Sequence, residues 1–294
     1  MLVTLSDVMK IAEEKGIAVG AFNVPNWESA EAITAAAEET AKPVILNYAP
    51  VHAPFMSLED SAEIMLYFAK KAKVPVVVHL DHGDSFERCM QAVRLGFTSV
   101  MIDASACSYE ENVAVTSAVV RAAHAAGVSV EAEVGHIFAS VTGVGQAPAK
   151  VETKDSFASV EDVYTKPETA KDFKEKTDVD ALAIAFGTSH GIYTTKPVLD
   201  LDRITEIRKA VKMPFVMHGG SGLSKEEFQT AVKNGIRKIN YYTYMSLSGG
   251  KAVKEAMDRV SADEKVFFHD IPVIAREAMK ADVKQAILTF SNEL

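Results

Sequence analysis

Polar residues able to bind a metal or move a proton recur in this chain directly behind runs of apolar residues. His82 follows VPVVVHLD, whose last residue is Asp81; His190 lies just beyond ALAIAFG; and His218 follows PFVM. Asp103 follows SVMI, Glu133 lies within VSVEAEVG, and Asn240 and Thr243 lie in and just behind KIN. Imidazole is a favoured ligand of Zn²⁺, and a set of three leaves a coordination position open for substrate. The histidines lack the close spacing of a local metal motif, so their chemistry depends on whether the fold gathers the ends of these runs.

The runs number eight: AVGAFNV from Ala18, PVILNYA from Pro43, VPVVVHLD from Val74, SVMIDAS from Ser99, VSVEAEVG from Val128, ALAIAFG from Ala181, PFVMHGG from Pro214 and KINYYT from Lys238. Almost wholly apolar runs suit strands buried on both faces, as in a parallel sheet covered by helices. Helices are predicted between them, at 28–40, 57–72, 109–126 and 224–234. Ser57 three residues before Asp60, and Ser224 three before Glu227, mark helix starts; Gly127 and Gly235 mark ends. Strand-then-helix units in this number predict a (β/α)₈ TIM barrel, one domain over residues 1–294, and no G-x-G-x-x-G follows the first run to favour an open sheet. Active sites of such barrels form at the carboxyl ends of the strands, which predicts that His82, His190 and His218 share one metal ion. The step from Val128 to Ala181 is longer than any other, and its Gly-, Ser-, Thr- and Val-rich stretch from 136 to about 165 predicts a long mobile loop after strand 5.

Composition narrows the function class. The chain is 48% hydrophobic and 24% charged, which suits a soluble globular protein with a large core. Its formal net charge of −9 repels nucleic-acid phosphates, and the basic pairs Lys70-Lys71 and Arg208-Lys209 sit in amphipathic stretches. No signal-like or membrane-spanning apolar run occurs, which predicts a cytoplasmic protein without membrane contact. Cys89 and Cys107 cannot form a disulfide framework and are expected to be reduced core or helix residues.

VHLDHGDSFE, SVMIDAS with the later EENVAVT, VEAEVG, AFGTSHGIY, MHGGSG and KIN-x-x-T occur in this order. Together they resemble the successive signatures of the class II fructose-bisphosphate and tagatose-bisphosphate aldolases, of which the chain looks like a divergent member. The resemblance implies a carbon–carbon lyase of carbohydrate metabolism such as glycolysis, a phosphorylated sugar substrate, a homodimer or homotetramer, Zn²⁺, and a monovalent cation, Na⁺ or K⁺. It implies that His82, His190 and His218 bind zinc and that Asp103 and Glu133 belong to an alternative or neighbouring metal position. It further implies that Asp81 exchanges a proton with the hydroxyl at the cleaved bond. Gly191, Gly219, Ser221, Asn240 and Thr243 match the phosphate-binding set, and Asn23 matches a position near substrate. Retro-aldol cleavage needs a base for the alcohol and a sink for the carbanion, and Zn²⁺ is such a sink.

Several residues depart from the family pattern. Ala49 stands where many relatives carry Ser or Thr, and Tyr242 where they carry Asp, Asn or Ala; both become candidate specificity residues. The loop after strand 5 lacks Gly-Gly-x-Glu-Asp, leaving Glu152, Asp155 and Glu161 as candidates for the donor-proton acid. Thr194 replaces a frequent Lys, and the ending TFSNEL is neither Gly-rich nor basic. These departures predict a ketose-phosphate aldolase with an atypical acceptor side. Two other readings compete: a metal-dependent hydrolase on the same barrel, against which the first strand offers no His-x-His, and a catalytically silent sugar-phosphate-binding barrel.

Overall fold

Strands buried on both faces leave no solvated side for an open sheet, and here they close on themselves. In the computed structural model, residues 1–139, 163–192, 197–261 and 263–294 are described. Their strands are β1 (Val19–Asn23), β2 (Val44–Tyr48), β3 (Val76–Gly83), β4 (Ser99–Ile102), β5 (Ser129–Val134), β6 (Phe138–Ala139), β7 (Ala181–Ile184), β8 (Ser189–His190), β9 (Phe215–Met217) and β10 (Ile236–Asn240). All except β6 and β8 form a closed parallel barrel in which β1 pairs with both β2 and β10. The eight apolar runs thus became the eight barrel strands. β6 and β8 pair with each other in a separate small sheet that period-two patterning did not foretell.

The helices are α1 (Leu5–Lys15), α2 (Trp27–Thr40), α3 (Leu58–Lys71), α4 (Phe86–Leu95), α5 (Tyr109–Ala125), α6 (Pro167–Thr177), α7 (Leu201–Ala210), α8 (Lys225–Asn234), α9 (Thr243–Arg259) and α10 (Asp270–Phe290). The Ser57 hydroxyl caps α3, and Ser224 with Glu227 completes a capping box on α8, as their spacing implied. Two helices fall outside the strand-then-helix count. α1 buries Leu5, Val8, Met9 and Ala12 with Val19, Ile45, Val77 and Val216, plugging the amino-terminal end of the barrel. The helix directly after β10, α9, buries only Met245 and Gly249, whereas α10 packs against α2 and buries Val283, Ile287 and Phe290. The β1 side of the barrel is therefore covered by the last helix of the chain.

Leu5 is fully buried in the α1 plug, so Leu5→Ala should lower the unfolding free energy by about 2–5 kcal/mol through lost transfer and cavity terms, read from urea unfolding. A smaller loss would mean that α1 docks loosely.

The ends of the segment expected to be a loop are bonded into the barrel. His136 N donates to Val163 O at 2.9 Å, Thr165 N to Ala185 O at 2.9 Å, and Ala185 N to Thr165 Oγ1 at 2.8 Å. Glu152, Asp155, Glu161 and Thr194 lie outside the described residues. Cys89 is buried in α4, but Cys107 lies exposed in the bend before α5, neither core nor helix, because the chain must leave β4 there to start a capped helix at Ser108. Among the described residues no helix is long and apolar enough to cross a membrane.

Candidate active site

Consecutive residues of a regular strand point to opposite faces, yet Asp81 and His82 both reach the carboxyl end of the barrel. The β3–β4 register shifts between Leu80 and Gly83, and His82 takes a left-handed backbone, φ 48°. Such a conformation is unfavourable for a non-glycine residue and is retained where surrounding structure enforces it. The irregularity lets one strand supply an acid and an imidazole side by side.

Three imidazoles meet there. His82 Nε2 lies 2.9 Å from His218 Nδ1, and His190 Nε2 lies 3.4 Å from the same atom. The outward nitrogens have carboxylate acceptors: His82 Nδ1 donates to Asp103 Oδ2 at 2.7 Å, and His218 Nε2 donates to Glu131 Oε1 at 2.9 Å. With those protons placed outward, the inward nitrogens of His82 and His218 present lone pairs to one point, an arrangement that asks for a cation. A tetrahedral ion with Zn–N bonds of about 2.0–2.1 Å needs its nitrogens roughly 3.3 Å apart, and the observed separations bracket that value. Glu133 adds a buried carboxylate oxygen, Oε2, that has no hydrogen-bond partner and lies 4.0 Å from His218 Nδ1. The donor set fits a divalent metal.

The electrostatics agree. Burial opposes a charge on His82, but Asp81, Asp103 and Glu133 outweigh it and raise its pKa to about 10. Burial, reinforced by His82 and His218, lowers His190 to about 3, and burial also lowers His218. Burial, together with the charge on Asp103, pushes Glu133 well above the carboxylate range. The protein groups by themselves therefore favour a proton on His82 Nε2, facing His218 Nδ1 at 2.9 Å, and a metal ion at this point would displace that proton and use the lone pair.

Asp81 is almost wholly buried, and both its oxygens accept from Asn240 Nδ2, at 3.0 and 3.1 Å. Burial disfavours its charge, but His82, Lys238, His218 and His79 overcome that and hold the carboxyl well below the usual range. It stands ready as a proton acceptor beside the histidines. On the adjoining side, Asn23 Nδ2 donates to His52 Nε2 at 2.9 Å, and the His52 ring meets Tyr242 edge to face at 4.8 Å between centroids. Ala49 O accepts from His52 N at 2.9 Å, so both candidate specificity residues adjoin this histidine.

Of the remaining expected positions, Ser221 and Thr243 meet at the start of α9. Ser221 Oγ accepts from Tyr242 N at 3.2 Å and Thr243 N at 3.1 Å, which caps the helix from the β9–α8 connection. Gly191 and Gly219 have positive φ, 90° and 67°. A Cβ at Gly219 would come within 2.4 Å of Ser189 O, so close backbone packing by itself requires that glycine.

Asp103 and Glu133 stand beside His82, and the three can also offer ligand atoms to one ion. Asp103 already accepts from His82 Nδ1, so its first visible role is to orient that ring. Residues that the sequence reading missed are His52, Glu131, Lys238 and His79. His52 carried a usable signal, a histidine just behind a strand end. The other three were disguised as strand interior, although each lies two residues before a recognised position: Glu131 before Glu133, His79 before Asp81, Lys238 before Asn240.

Comparison with known proteins adds independent support. The family described as "Fructose-bisphosphate aldolase class-II" matches residues 3–293. A probable fructose-bisphosphate aldolase of Bacillus subtilis is 40% identical over 87% of this chain and 86% of its own length. A fructose-bisphosphate aldolase of Staphylococcus aureus is 38% identical over 98% and 97%. Among solved structures, the YdjI aldolase of Escherichia coli K12 aligns with a TM-score of 0.84 at 34% identity, over 99% of this chain and 97% of that one. The fructose-bisphosphate aldolase of Campylobacter jejuni shares the fold, with a TM-score of 0.81 at 22% identity, over 100% and 96%. Barrel, histidine cluster and a family match across nearly the whole sequence agree, and the chain belongs to the class II fructose-bisphosphate aldolase family.

Proposed function

We propose that the chain is a zinc-dependent ketose-phosphate aldolase that reversibly cleaves a phosphorylated ketose to dihydroxyacetone phosphate and an aldehyde. The observation that carries this reading is the buried Asp81 carboxyl group, fixed through both oxygens by Asn240, on the same strand as one of three imidazoles whose nitrogens converge from β3, β8 and the end of β9. His82, His190 and His218 would hold the ion, which supplies Lewis acidity to a carbonyl and stabilises negative charge as the bond breaks. Asp81 takes the hydroxyl proton as the carbon–carbon bond cleaves to an aldehyde and a carbanion equivalent, and returns it in the condensation direction. Asn240 fixes the carboxylate by donating to both of its oxygens. The start of α9, capped by Ser221 and carrying Thr243, suits the donor phosphate together with Gly191 and Gly219, because helix amino termini favour anions.

The acceptor side decides the sugar. The Bacillus and Staphylococcus relatives are named for a fructose bisphosphate, of which the 1,6-isomer serves as the reference substrate, whereas Ala49 offers no side-chain hydrogen bond and Tyr242 places a phenol ring against His52. We assign the chain an acceptor preference other than that of fructose 1,6-bisphosphate. A panel of ketose 1-phosphates and 1,6-bisphosphates, scored by release of dihydroxyacetone phosphate, tests both parts. The expected result is cleavage with the highest kcat/KM on a member other than fructose 1,6-bisphosphate. Preference for fructose 1,6-bisphosphate would overturn the acceptor assignment, and no release from any member would overturn aldol chemistry.

A further inference from the structure

Below the candidate metal position the barrel interior is polar where barrels of this kind are ordinarily filled with branched apolar side chains. Lys238 on β10 and Glu131 on β5 are both fully buried, and Lys238 Nζ donates to Glu131 Oε2 at 2.8 Å. The other oxygen of Glu131 accepts from His218 Nε2 at 2.9 Å. Lys238 Nζ also approaches His79 Nε2 at 3.4 Å, and His79 Nδ1 donates to Ser99 Oγ at 2.8 Å. The result is a chain of hydrogen bonds across the barrel, from Ser99 on β4 through His79 on β3, Lys238 and Glu131, to His218.

Each proton in the chain has one consistent place. The Lys238 ammonium is donor only, so the His79 nitrogen facing it must be an acceptor, and the proton of His79 lies on the side of Ser99. Burial and the nearby Lys238 charge keep His79 neutral, with its pKa lowered to about 3. Glu131 is the acceptor of the chain, with Lys238 Nζ at 2.8 Å on one oxygen and His218 Nε2 at 2.9 Å on the other. Glu131 Oε1 accepts a hydrogen bond from the Nε2 N–H of His218, leaving Nδ1 as the lone-pair nitrogen that faces His82 and His190.

A buried ion pair of this sort adds little stability over apolar residues of the same volume, while removal of one partner is costly. Stability therefore does not explain why the pair occupies the core, whereas its contact with His218 does. We propose that Glu131, Lys238 and His79 are positioning residues that fix the tautomer and ring orientation of His218 for a divalent metal ion. This rests on the reading that His82, His190 and His218 hold that ion, and it deepens it: the site extends one layer into the barrel, where Lys238 holds the oxygen of Glu131 that His218 does not.

The test compares zinc affinity with folding stability in wild type, Glu131→Gln, Lys238→Met and the double variant Glu131→Leu/Lys238→Met. Zinc affinity is read by chelator competition, ligand geometry by the visible spectrum of the Co²⁺-loaded protein, and stability by thermal unfolding of the metal-free protein. Glu131→Gln should bind zinc about 10–100-fold more weakly, the usual cost of losing a carboxylate behind a ligating histidine. Lys238→Met should lower the unfolding temperature, because Glu131 is left without its counter-charge. The double variant should recover the unfolding temperature yet keep the weakened affinity and an altered Co²⁺ spectrum. A merely structural pair predicts that affinity returns with stability. Wild-type affinity in Glu131→Gln or in a stably folded double variant would overturn the positioning role alone, whereas failure of the wild type to bind zinc would overturn the metal reading beneath it.

Discussion

Alanine or asparagine at position 81 is expected to lower kcat for carbon–carbon cleavage by about 10²–10⁴-fold, the range spanned by loss of one well-placed general acid–base group. Metal content should be unchanged, because the nitrogens that converge on the candidate metal position belong to His82, His190 and His218, and the acceptors behind them are Asp103 and Glu131. Asparagine is the sharper variant. It keeps an oxygen that can accept from Asn240 Nδ2 but cannot take up a proton, so any loss reports proton transfer rather than a collapsed pocket. The two half-processes should separate. Removal of the hydroxyl proton is assigned to Asp81, and removal of the donor carbon's proton to a different carboxylate acting as base. Exchange of the carbon-bound hydrogen of dihydroxyacetone phosphate with solvent should therefore survive in Asp81→Asn while cleavage is lost. Full cleavage activity in either variant removes Asp81 from the proposed mechanism.

That experiment bears on the part of the site most legible in the sequence. Apolar runs buried on both faces have few architectures open to them, and a polar residue directly behind each run lands at one rim of a closed barrel. His82, His190 and His218 could be grouped on that ground, and their nitrogens do converge. Period-two reading has a limit at β3, where Asp81 and His82 should diverge. They share a rim only because of the register shift and the left-handed His82, which patterning does not encode. The small sheet of β6 and β8 was equally invisible, since two-residue strands have no period, yet it is the element that carries His190.

The buried chain below the rim was hidden for a different reason. Lys238 and Glu131 read as interruptions of strands, and an isolated charge in a strand ordinarily belongs to an exposed face. Only closure of the barrel brings β5 and β10 within reach across its interior, so that two expensive charges become one neutral pair. The α1 plug was unannounced because an amphipathic helix before the first strand looks like any other surface helix, and only the barrel opening supplies the surface that its apolar stripe covers.

Removal of metal is expected to have the largest effect of all. Prolonged dialysis against a chelator should reduce aldol cleavage by at least ~10³-fold, since Lewis-acid stabilisation of developing charge supplies several kcal/mol and each 1.36 kcal/mol is tenfold in rate. Zn²⁺ added back should restore it. The same treatment should lower the unfolding temperature, because an ion present at about 1,000 times its Kd stabilises the folded state by roughly 4 kcal/mol. The two readouts guard against different errors. A catalytically silent barrel would show the fall in unfolding temperature without any turnover to lose. A metal held only at the surface would show neither, because His218 is fully buried and His82 and His190 are only partly exposed. His190→Ala should reproduce both losses, since it withdraws one converging nitrogen and leaves untouched the carboxylates that hold the rings of His82 and His218. Turnover that survives complete loss of metal would exclude the proposed chemistry, whatever sugar the enzyme prefers.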